Sequence, residues 1–387
     1  CRCPASARET PHLREVMKRH FGTRSLISTL VLLVLVGCSA APEIIGIRNA
    51  NVPVESVEDL TKHRIFIMST RGSSEVAGAF YSSVRAPELG MASVDATVPP
   101  THVVGVLERP KRLPPDPRTE FTVVNPIVYS TDAAFISGIN RELAKRAPGD
   151  RKLLIFVHGF NNTASDAVLR LSQFVEDTDF QGVPVLFTWA SAAKGTRYVY
   201  DLNSALIARP EVRNLAAILN RTKAESVDVF AHSMGTFLTM EGLVHQQQTG
   251  RLGKGIPIDH IILASPDIDI DLFRTQISAL HPSIKQRMFL LISKDDAALR
   301  LSRRIAGGVP RVGAADALQL EKLGVTVIDL SKIEDSNSGS HSKFAGSPEV
   351  VQLIGAGLNA NERFGKTGSS TTFQELLANT PIMILRN

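Results

Sequence analysis

Residues 226–240 read "SVDVFAHSMGTFLTM", and this stretch decides how the rest of the chain is interpreted. Its first half has the character of a β-strand, and its second half has the composition of a helix. Between the two halves, Ser233 stands two residues after Ala231 and two residues before Gly235. Small residues at these positions allow a strand and a helix to approach closely around a sharp turn. A serine raised on such a turn is a candidate nucleophile, whereas a serine that merely caps the helix is the alternative.

Strand-like and helix-like segments alternate six times between residues 152 and 358. Such alternation is typical of a parallel sheet that is covered by helices on both faces. Four further strand candidates precede this region without a helix between them, which predicts an antiparallel addition on the N-terminal side. The sequence therefore predicts the α/β class, with a mostly parallel sheet and a β-rich N-terminal part. The four early candidates are "RIFIMST", "MASVDATV", "HVVGVLE" and "FTVVNPIVY".

The positive charge of the chain is concentrated near its N-terminal end. Residues 1–37 hold six Lys or Arg against two Glu, whereas the formal net charge of all 387 residues is +5. This distribution indicates a targeting segment rather than a surface for nucleic acid. A positive head beginning at Met17 is followed by an apolar run, residues 26–36, that is too short for a stable membrane span. We interpret Met17 as the true start of translation.

The apolar run ends in Gly37-Cys38, which resembles the lipobox of bacterial lipoproteins. An ordinary signal peptide or an apolar anchor is the alternative. We expect Cys38 to carry a lipid that anchors the protein in the cell envelope, and Ser39 favours the outer membrane facing the periplasm. The other two cysteines, Cys1 and Cys3, lie upstream of the lipobox, so we expect no disulfide and no zinc site in the mature chain.

Composition shifts and the predicted elements divide the chain into five segments. The predicted segments are 1–37 (upstream sequence and signal peptide), 38–63 (tether), 64–128 (N-terminal β-rich part), 129–358 (core) and 359–387 (C-terminal tail). No strand or helix is assigned to the tail.

Several motifs together resemble a bacterial α/β-hydrolase family that is classified as a domain of unknown function. The resemblance runs from about residue 120 to residue 358 and implies the α/β-hydrolase fold and serine hydrolase chemistry. It places Ser233 at the nucleophile elbow of that fold, with Ala231 in the place of the usual first glycine. The motifs are "VHGFNNTASDAV", "PVLFTWAS", "YVYDLNSA", "FAHSMG", "ILASPDID", "SKDDAALRLSRR" and "SGSHSKF".

The predicted base is His341, in a loop rich in glycine and serine after the last predicted strand. It follows both Ser233 and the acid candidates, which matches the order Ser, Asp, His of α/β-hydrolases; a solvated loop histidine is the alternative. The segment Ser293–Asp296 follows a strand and resembles the G-x-x-D motif of hydrolases of this fold, which implies Asp296 as the acid, with the adjacent Asp295 as an alternative. A further alternative is Asp267 after the preceding strand, where some lipases of this fold carry the acid, unless it caps a helix.

The segment "VHGFNN", residues 157–162, ends an early strand and is the predicted anion site. By the resemblance, the backbone N–H groups of Phe160 and Met234 form the oxyanion hole. An ordinary glycine turn is the alternative reading of this segment. The resemblance also implies that four residues shape the pocket or its cover, although core packing explains the tryptophan equally well. These four residues are Trp189, Tyr198, Tyr200 and Asp201.

The sequence thus predicts a lipid-anchored serine hydrolase that cleaves small-molecule ester or acyl substrates. Ser233 would attack the carbonyl carbon, His341 would act as base and then as acid, and Asp296 would orient the imidazole. This chemistry needs no metal and no organic cofactor. The same residues would serve an amidase or peptidase, and a non-catalytic envelope-binding lipoprotein is a third alternative.

Overall fold

The computed structural model describes residues 41–334, 339–359 and 381–386. The chain divides into a unit of Cys1–Pro42, of which only the last two residues are described, and a compact unit of Glu43–Asn387. A ten-stranded sheet forms the centre of the second unit. Its strands are β1 (Thr61–Ser73), β2 (Tyr81–Val98), β3 (Thr122–Val128), β4 (Lys152–Val157), β5 (Val183–Thr188), β6 (Ser226–His232), β7 (Ile258–Ala264), β8 (Met288–Ile292), β9 (Thr326–Asp329) and β10 (Met383–Leu385).

The strands lie in the order β10-β9-β8-β7-β6-β4-β5-β1-β2-β3 across the sheet. Neighbouring strands from β9 to β1 in this order are parallel, whereas β2, β3 and β10 add antiparallel pairs at the two edges. The predicted mostly parallel sheet with an N-terminal antiparallel addition is therefore confirmed. The carboxyl ends of the parallel strands meet at one edge, where α/β proteins gather their functional groups.

Helices cover both faces of the sheet because successive side chains of each strand point to opposite sides. In β4, Leu153 and Ile155 pack into one hydrophobic core, whereas Leu154 and Phe156 pack into the other. The helices are α1 (Asp132–Leu143), α2 (Ala164–Asp177), α3 (Tyr198–Leu219), α4 (Met234–Gln248), α5 (Ile270–Ser278), α6 (Pro282–Lys285), α7 (Ala297–Ile305), α8 (Ala317–Glu321), α9 (Lys343–Gly346) and α10 (Pro348–Asn359). Residues of α1, α3, α4 and α5 line the first core, and residues of α2 and α10 line the second.

The prediction of a strand at "HVVGVLE" is wrong, because residues 102–108 form turns. The imidazole of His102 donates to Glu108 at 2.8 Å and to Asp177 at 2.7 Å, which folds this segment onto α2. Burial lowers the pKa of His102, but its hydrogen bonds to Asp177 and Glu108 outweigh this effect and raise it to about 9. Gly105 has a φ of 85°, a value that favours glycine and interrupts an extended run.

Three other details differ from the sequence interpretation or extend it. β1 joins β5 in parallel and so belongs to the main sheet, rather than only to an antiparallel addition. Within the segment expected to be a tether, Ile44 and Ile45 are buried, and Ile45 forms a bridge with Val123 of β3. In the tail, for which no element was predicted, β10 pairs with β9.

Candidate active site

Ser233 occupies a strained turn between β6 and α4. Its φ is 52° and its ψ is −125°, and its side chain makes no capping hydrogen bond to the helix. A non-glycine residue with positive φ is costly and is typical of functional sites. A Cβ atom on Gly235 would lie 2.4 Å from the carbonyl oxygen of His158, so the strand and helix can meet here only around a glycine. The geometry is that of an elbow which presents a hydroxyl, rather than that of an N-cap.

The segment predicted as the anion site lies directly against this elbow. A Cβ atom on Gly159 would lie 2.8 Å from Cβ of Ser233. Among the described residues, neither the N–H of Phe160 nor that of Met234 donates a hydrogen bond. Two unpaired backbone donors beside a serine hydroxyl can bind an oxyanion.

His158 and Trp189 hold the start of this segment in place. Nδ1 of His158 donates to the carbonyl oxygen of Gly159 at 2.9 Å, and its Nε2 accepts the backbone N–H of Trp189 at 3.2 Å. The indole N–H of Trp189 donates to the carbonyl oxygen of His158 at 2.9 Å, and the two rings stack. Burial, followed by the charge of Arg71, lowers the pKa of His158 to about 3. His158 is therefore a neutral structural group, and Trp189 is a buried packing residue that supports it.

A buried arginine that the sequence interpretation missed fixes the end of the same segment. Arg71, from β1, donates to the carbonyl oxygen of Asn162 at 2.7 Å and to that of Ser191 at 3.0 Å. Burial lowers the pKa of Arg71 to about 10, although the charge of Asp201 opposes the effect. The feature of the sequence that could have identified Arg71 is its position as a single arginine directly after the apolar run "IFIMST".

Asp201 holds the segment from the side of α3. This buried carboxylate accepts the backbone N–H of Asn161 at 3.2 Å and that of Ala192 at 2.6 Å. Asp201 therefore positions the backbone around Phe160. Tyr200, predicted to shape the pocket or its cover, donates to the carbonyl oxygen of Ser83.

His341 and Asp296 are in direct contact. Nδ1 of His341 donates to Oδ2 of Asp296 at 2.8 Å, and Asp296 is fully buried. The other carboxylate oxygen accepts the backbone N–H of Leu299 at 2.9 Å, at the start of α7. Asp296 thus fixes both the tautomer and the orientation of the imidazole.

The backbone of His341 is bonded to the region of the elbow. Its carbonyl oxygen accepts from Nε2 of His232 at 3.0 Å and from the hydroxyl of Ser265 at 3.0 Å. The two imidazole rings have their centroids 4.7 Å apart, and His232 immediately precedes Ser233. Burial and the neighbouring His341 hold the pKa of His232 well below its usual value. Within the described residues, Oγ of Ser233 and Nε2 of His341 form no hydrogen bond to each other or to a third group.

The two alternative acids have other partners. Asp267 accepts the hydroxyl of Tyr198 at 2.9 Å and pairs with Arg311 at 3.3 Å. Burial and the charge of Asp267 raise the pKa of Tyr198. Asp295 accepts from Ser340 at 2.6 Å. In the described parts of the chain, neither aspartate contacts the His341 imidazole.

Lys343 joins the loop after β8 to the loop that carries His341, and the sequence interpretation missed it. Its buried ammonium donates to Asp295 at 3.0 Å, to the hydroxyl of Ser293 at 2.9 Å and to the carbonyl oxygen of Leu330 at 2.9 Å. Partial burial raises the pKa of Asp295, but hydrogen bonds from Ser293, Ser340 and Lys343 outweigh it and lower the value. The feature of the sequence that could have identified Lys343 is its position two residues after the predicted base His341.

Across residues 41–334, 339–359 and 381–386, His, Cys, Asp and Glu form no group of three or more that could hold a metal ion. In the same ranges, every helix is too short or too polar to cross a membrane. Cys38, the predicted lipidation site, lies outside the described residues.

Comparisons with solved structures find distant neighbours. Esterases from Rhizomucor miehei share 10% identity over 81% of this chain and 84% of theirs, with a TM-score of 0.34. Lipase B from Aspergillus fumigatus shares 14% identity over 65% of this chain and 62% of its own, with a TM-score of 0.34. An esterase from Pyrobaculum calidifontis shares 11% identity over 91% of this chain and 98% of its own, with a TM-score of 0.36. No curated protein matches the chain.

The family comparison covers more than half of the sequence. Residues 131–357 match the family described as alpha/beta hydrolase of unknown function (DUF900). The matched range contains the elbow, residues 157–162 (the predicted oxyanion segment) and the loops of His341 and Asp296. The chain therefore belongs to this family of alpha/beta hydrolases.

Proposed function

We propose that this hydrolase cleaves carboxylic esters of small molecules through an acyl-enzyme on Ser233. The observation that carries the proposal is the hydroxyl of Ser233 on a strained elbow, next to the unpaired N–H groups of Phe160 and Met234. The hydrogen bond between His341 and Asp296 at the same edge of the sheet supports it further. A serine needs such a base to become nucleophilic, and the imidazole needs the carboxylate to hold its tautomer.

In the proposed reaction, Oγ of Ser233 bonds to the carbonyl carbon while its proton passes to Nε2 of His341. The oxyanion accepts from the N–H groups of Phe160 and Met234, an interaction worth about 3 kcal/mol per donor in comparable sites. The imidazolium then protonates the leaving alcohol, and the ester C–O bond breaks. Water, deprotonated by His341, hydrolyses the acyl-enzyme and restores Ser233. In the part of the chain that the structure describes, Oγ of Ser233 and Nε2 of His341 share no hydrogen bond, so the imidazole must shift before the first step. Sites of this kind often tighten only when substrate is bound.

The test combines active-site labelling with turnover. A fluorophosphonate probe is expected to label the wild-type protein and Ser278→Ala, whose serine is exposed and outside the site. Ser233→Ala should lose labelling and at least 1,000-fold of its turnover of nitrophenyl esters. Persistent labelling of Ser233→Ala would exclude this serine as the nucleophile. A matched nitroanilide separates ester cleavage from amide cleavage, and faster amide turnover would overturn the assignment to esters.

We further propose that Cys38 is lipidated and holds the hydrolase at the outer membrane, facing the periplasm. The basic head and apolar run that precede Gly37-Cys38 support this placement. In fractionated cells, Cys38→Ala is expected to move the protein from the membrane fraction to the soluble fraction. Retention of the variant in the membrane would contradict the proposal.

A further inference from the structure

A cavity lies away from the elbow, between α3, α4 and the sheet. Its volume is about 270 Å³, and none of Ser233, His341 and Asp296 lines it. Aliphatic and aromatic side chains of β4, β5, β6, β7, α3 and α4 make up most of its wall. Representative wall residues are Phe187, Leu215, Leu219, Leu238, Leu243 and Ile258. A wall of this kind suits an alkyl chain, because the transfer of each methylene from water to apolar surroundings is favourable.

Three cations surround the mouth of this cavity. Arg213, Arg251 and Lys254 line it and are exposed, and no Asp or Glu belongs to its wall. Within the described part of the chain, none of the three side chains forms a salt bridge. Unpaired charges of one sign at the rim of an apolar cavity attract an anion and set its orientation. The mouth therefore complements an acidic head group.

Gln246 adds a polar group whose hydrogen-bonding capacity is unused. The residue lines the cavity and is 7% exposed, and its buried Oε1 has no hydrogen-bond partner. The backbone carbonyl oxygen of Gln246 accepts the backbone N–H of Arg251 at 2.9 Å, so Gln246 adjoins the segment that carries Arg251 and Lys254. Buried polar atoms in proteins are almost always paired, which indicates a missing partner. Rotation of the amide lets it accept from a hydroxyl or donate to an acidic oxygen.

We propose that this cavity binds a single-chain anionic lipid. The alkyl chain lies against the apolar wall, the acidic head contacts Arg213, Arg251 and Lys254, and the amide of Gln246 bonds to the head. The carboxylate of a fatty acid and the phosphate of a lysophospholipid share this chemistry. The site is separate from Ser233, so the proposal does not depend on the esterase activity.

Calorimetric titration tests the proposal in the full-length chain carrying Ser233→Ala, so that hydrolysis does not consume a ligand. The probes are dodecanoate, a dodecanoyl lysophosphatidylglycerol and the uncharged dodecan-1-ol, each below its micellar concentration. One-to-one binding of at least one anionic probe is expected, at least tenfold tighter than that of the alcohol. If only dodecanoate binds, the ligand is identified as a fatty acid. If only the lysophospholipid binds, the ligand is identified as a lysophospholipid. Failure of both anions to bind, or equally tight binding of the alcohol, would overturn the proposal.

Charge reversal at the mouth provides the matched comparison. The triple variant R213E/R251E/K254E should bind the anionic probe at least tenfold more weakly. The control K62E/K111E/K322E makes the same charge change at exposed lysines elsewhere and should bind like the parent. If the triple variant does not fold, each single reversal should weaken binding about threefold. Equal affinities of the mouth and control variants would refute the role of the three cations.

Two interior variants test the wall and the amide. Ala216→Leu on α3 adds volume inside the cavity and should weaken binding at least tenfold while the melting temperature stays within about 3 °C. Gln246→Leu removes the amide and should weaken the binding of the anionic probe more than the binding of the alcohol. Unchanged affinity in Ala216→Leu would show that the lipid binds elsewhere on the protein.

Discussion

The elbow at Ser233 requires glycine at two positions that pack closely around it. The residue itself accepts a φ of 52°, and both Gly159 and Gly235 lie where a Cβ atom would meet other atoms at less than 3 Å. Because the oxyanion segment and the helix start are both packed against the elbow, a single methyl group moves them apart. The two glycines thus set the distance between the serine hydroxyl and the N–H donors.

Gly235→Ala is expected to lower the free energy of unfolding by about 2 kcal/mol, because overpacking displaces the backbone. The added Cβ would lie 2.4 Å from the carbonyl oxygen of His158 and 2.6 Å from that of Val157. Ester turnover should fall at least tenfold, as measured by initial rates beside urea unfolding curves. Gly195→Ala is the control, since a Cβ there has no neighbour within 4 Å. Equal behaviour of the two variants would contradict this account of the elbow.

His158 makes the stability of the protein sensitive to acid. Its folded-state pKa of about 3 lies below the unfolded value of about 6.5, so only the unfolded state takes up a proton between these values. The contribution of His158 to the free energy of unfolding is complete above pH 6.5 and is lost as the pH falls toward 3. Between pH 7 and pH 5 the loss from this one group is about 2 kcal/mol.

The measurement is the free energy of unfolding of wild type and His158→Gln at pH 7 and pH 5. The variant loses hydrogen bonds and should be less stable than the wild type at both pH values. The difference between their free energies of unfolding should be smaller at pH 5 than at pH 7. His232 contributes in the same direction in both proteins, because burial and the neighbouring His341 are the largest causes of its lowered pKa. If the difference in unfolding free energy is the same at pH 7 and pH 5, His158 is not held neutral in the folded protein.

At the scale of elements, the proposed acid and the proposed base come from loops that Lys343 joins. The loop after β8 carries Asp296, and the loop after β9 carries His341. Lys343 follows the base, and its ammonium bonds to Ser293 and Asp295 in the other loop. Because the ammonium is buried, these contacts hold a fixed geometry. Lys343 is therefore a positioning residue.

Lys343→Met should lower kcat about tenfold with a smaller change in KM, because misplacement of the base affects the reaction more than binding. The unfolding free energy should fall by about 1–3 kcal/mol, since the hydroxyl of Ser293 and the carboxylate of Asp295 lose the buried ammonium that donates to them. Lys332→Met, at an exposed position, is the matched control. A loss of stability without a change in kcat would make Lys343 purely structural.

At the scale of the whole molecule, the N-terminal strands belong to the hydrolase domain. β1 contributes Arg71 to the oxyanion segment, and its residues Ile65 to Met68 are at most 1% exposed. The sheet would end at β5 if β1 to β3 were absent. An uncovered apolar strand of this kind pairs with other chains and aggregates.

A truncated chain that starts at residue 129 is therefore expected to be insoluble or inactive, although it retains Ser233, His341 and Asp296. Soluble yield and fluorophosphonate labelling of this fragment are compared with those of a chain that starts at residue 43. A soluble, labelled fragment would show that residues 129–387 fold and react without β1 to β3.

Local signals in the sequence determined the order of strands and helices, the elbow and the general position of the candidate site. Hydrophobic periodicity reports the type of element, and small residues around Ser233 report a tight turn, because both depend on neighbours in the chain. The family resemblance added the order of serine, acid and base. The same local signals misread "HVVGVLE", where hydrogen bonds from His102 to Glu108 and to the distant Asp177 hold a compact turn in place of a strand.

Only the tertiary structure decided which aspartate contacts His341, because all three candidates follow strands of the same sheet edge. Asp296 bonds to the imidazole, whereas Asp267 pairs with Tyr198 and Arg311. Arg71 likewise supports a segment some ninety residues further along the chain. Such contacts join side chains that are remote in sequence, and their energies depend on burial and on angles between elements. Neither quantity exists until the sheet has brought those elements together.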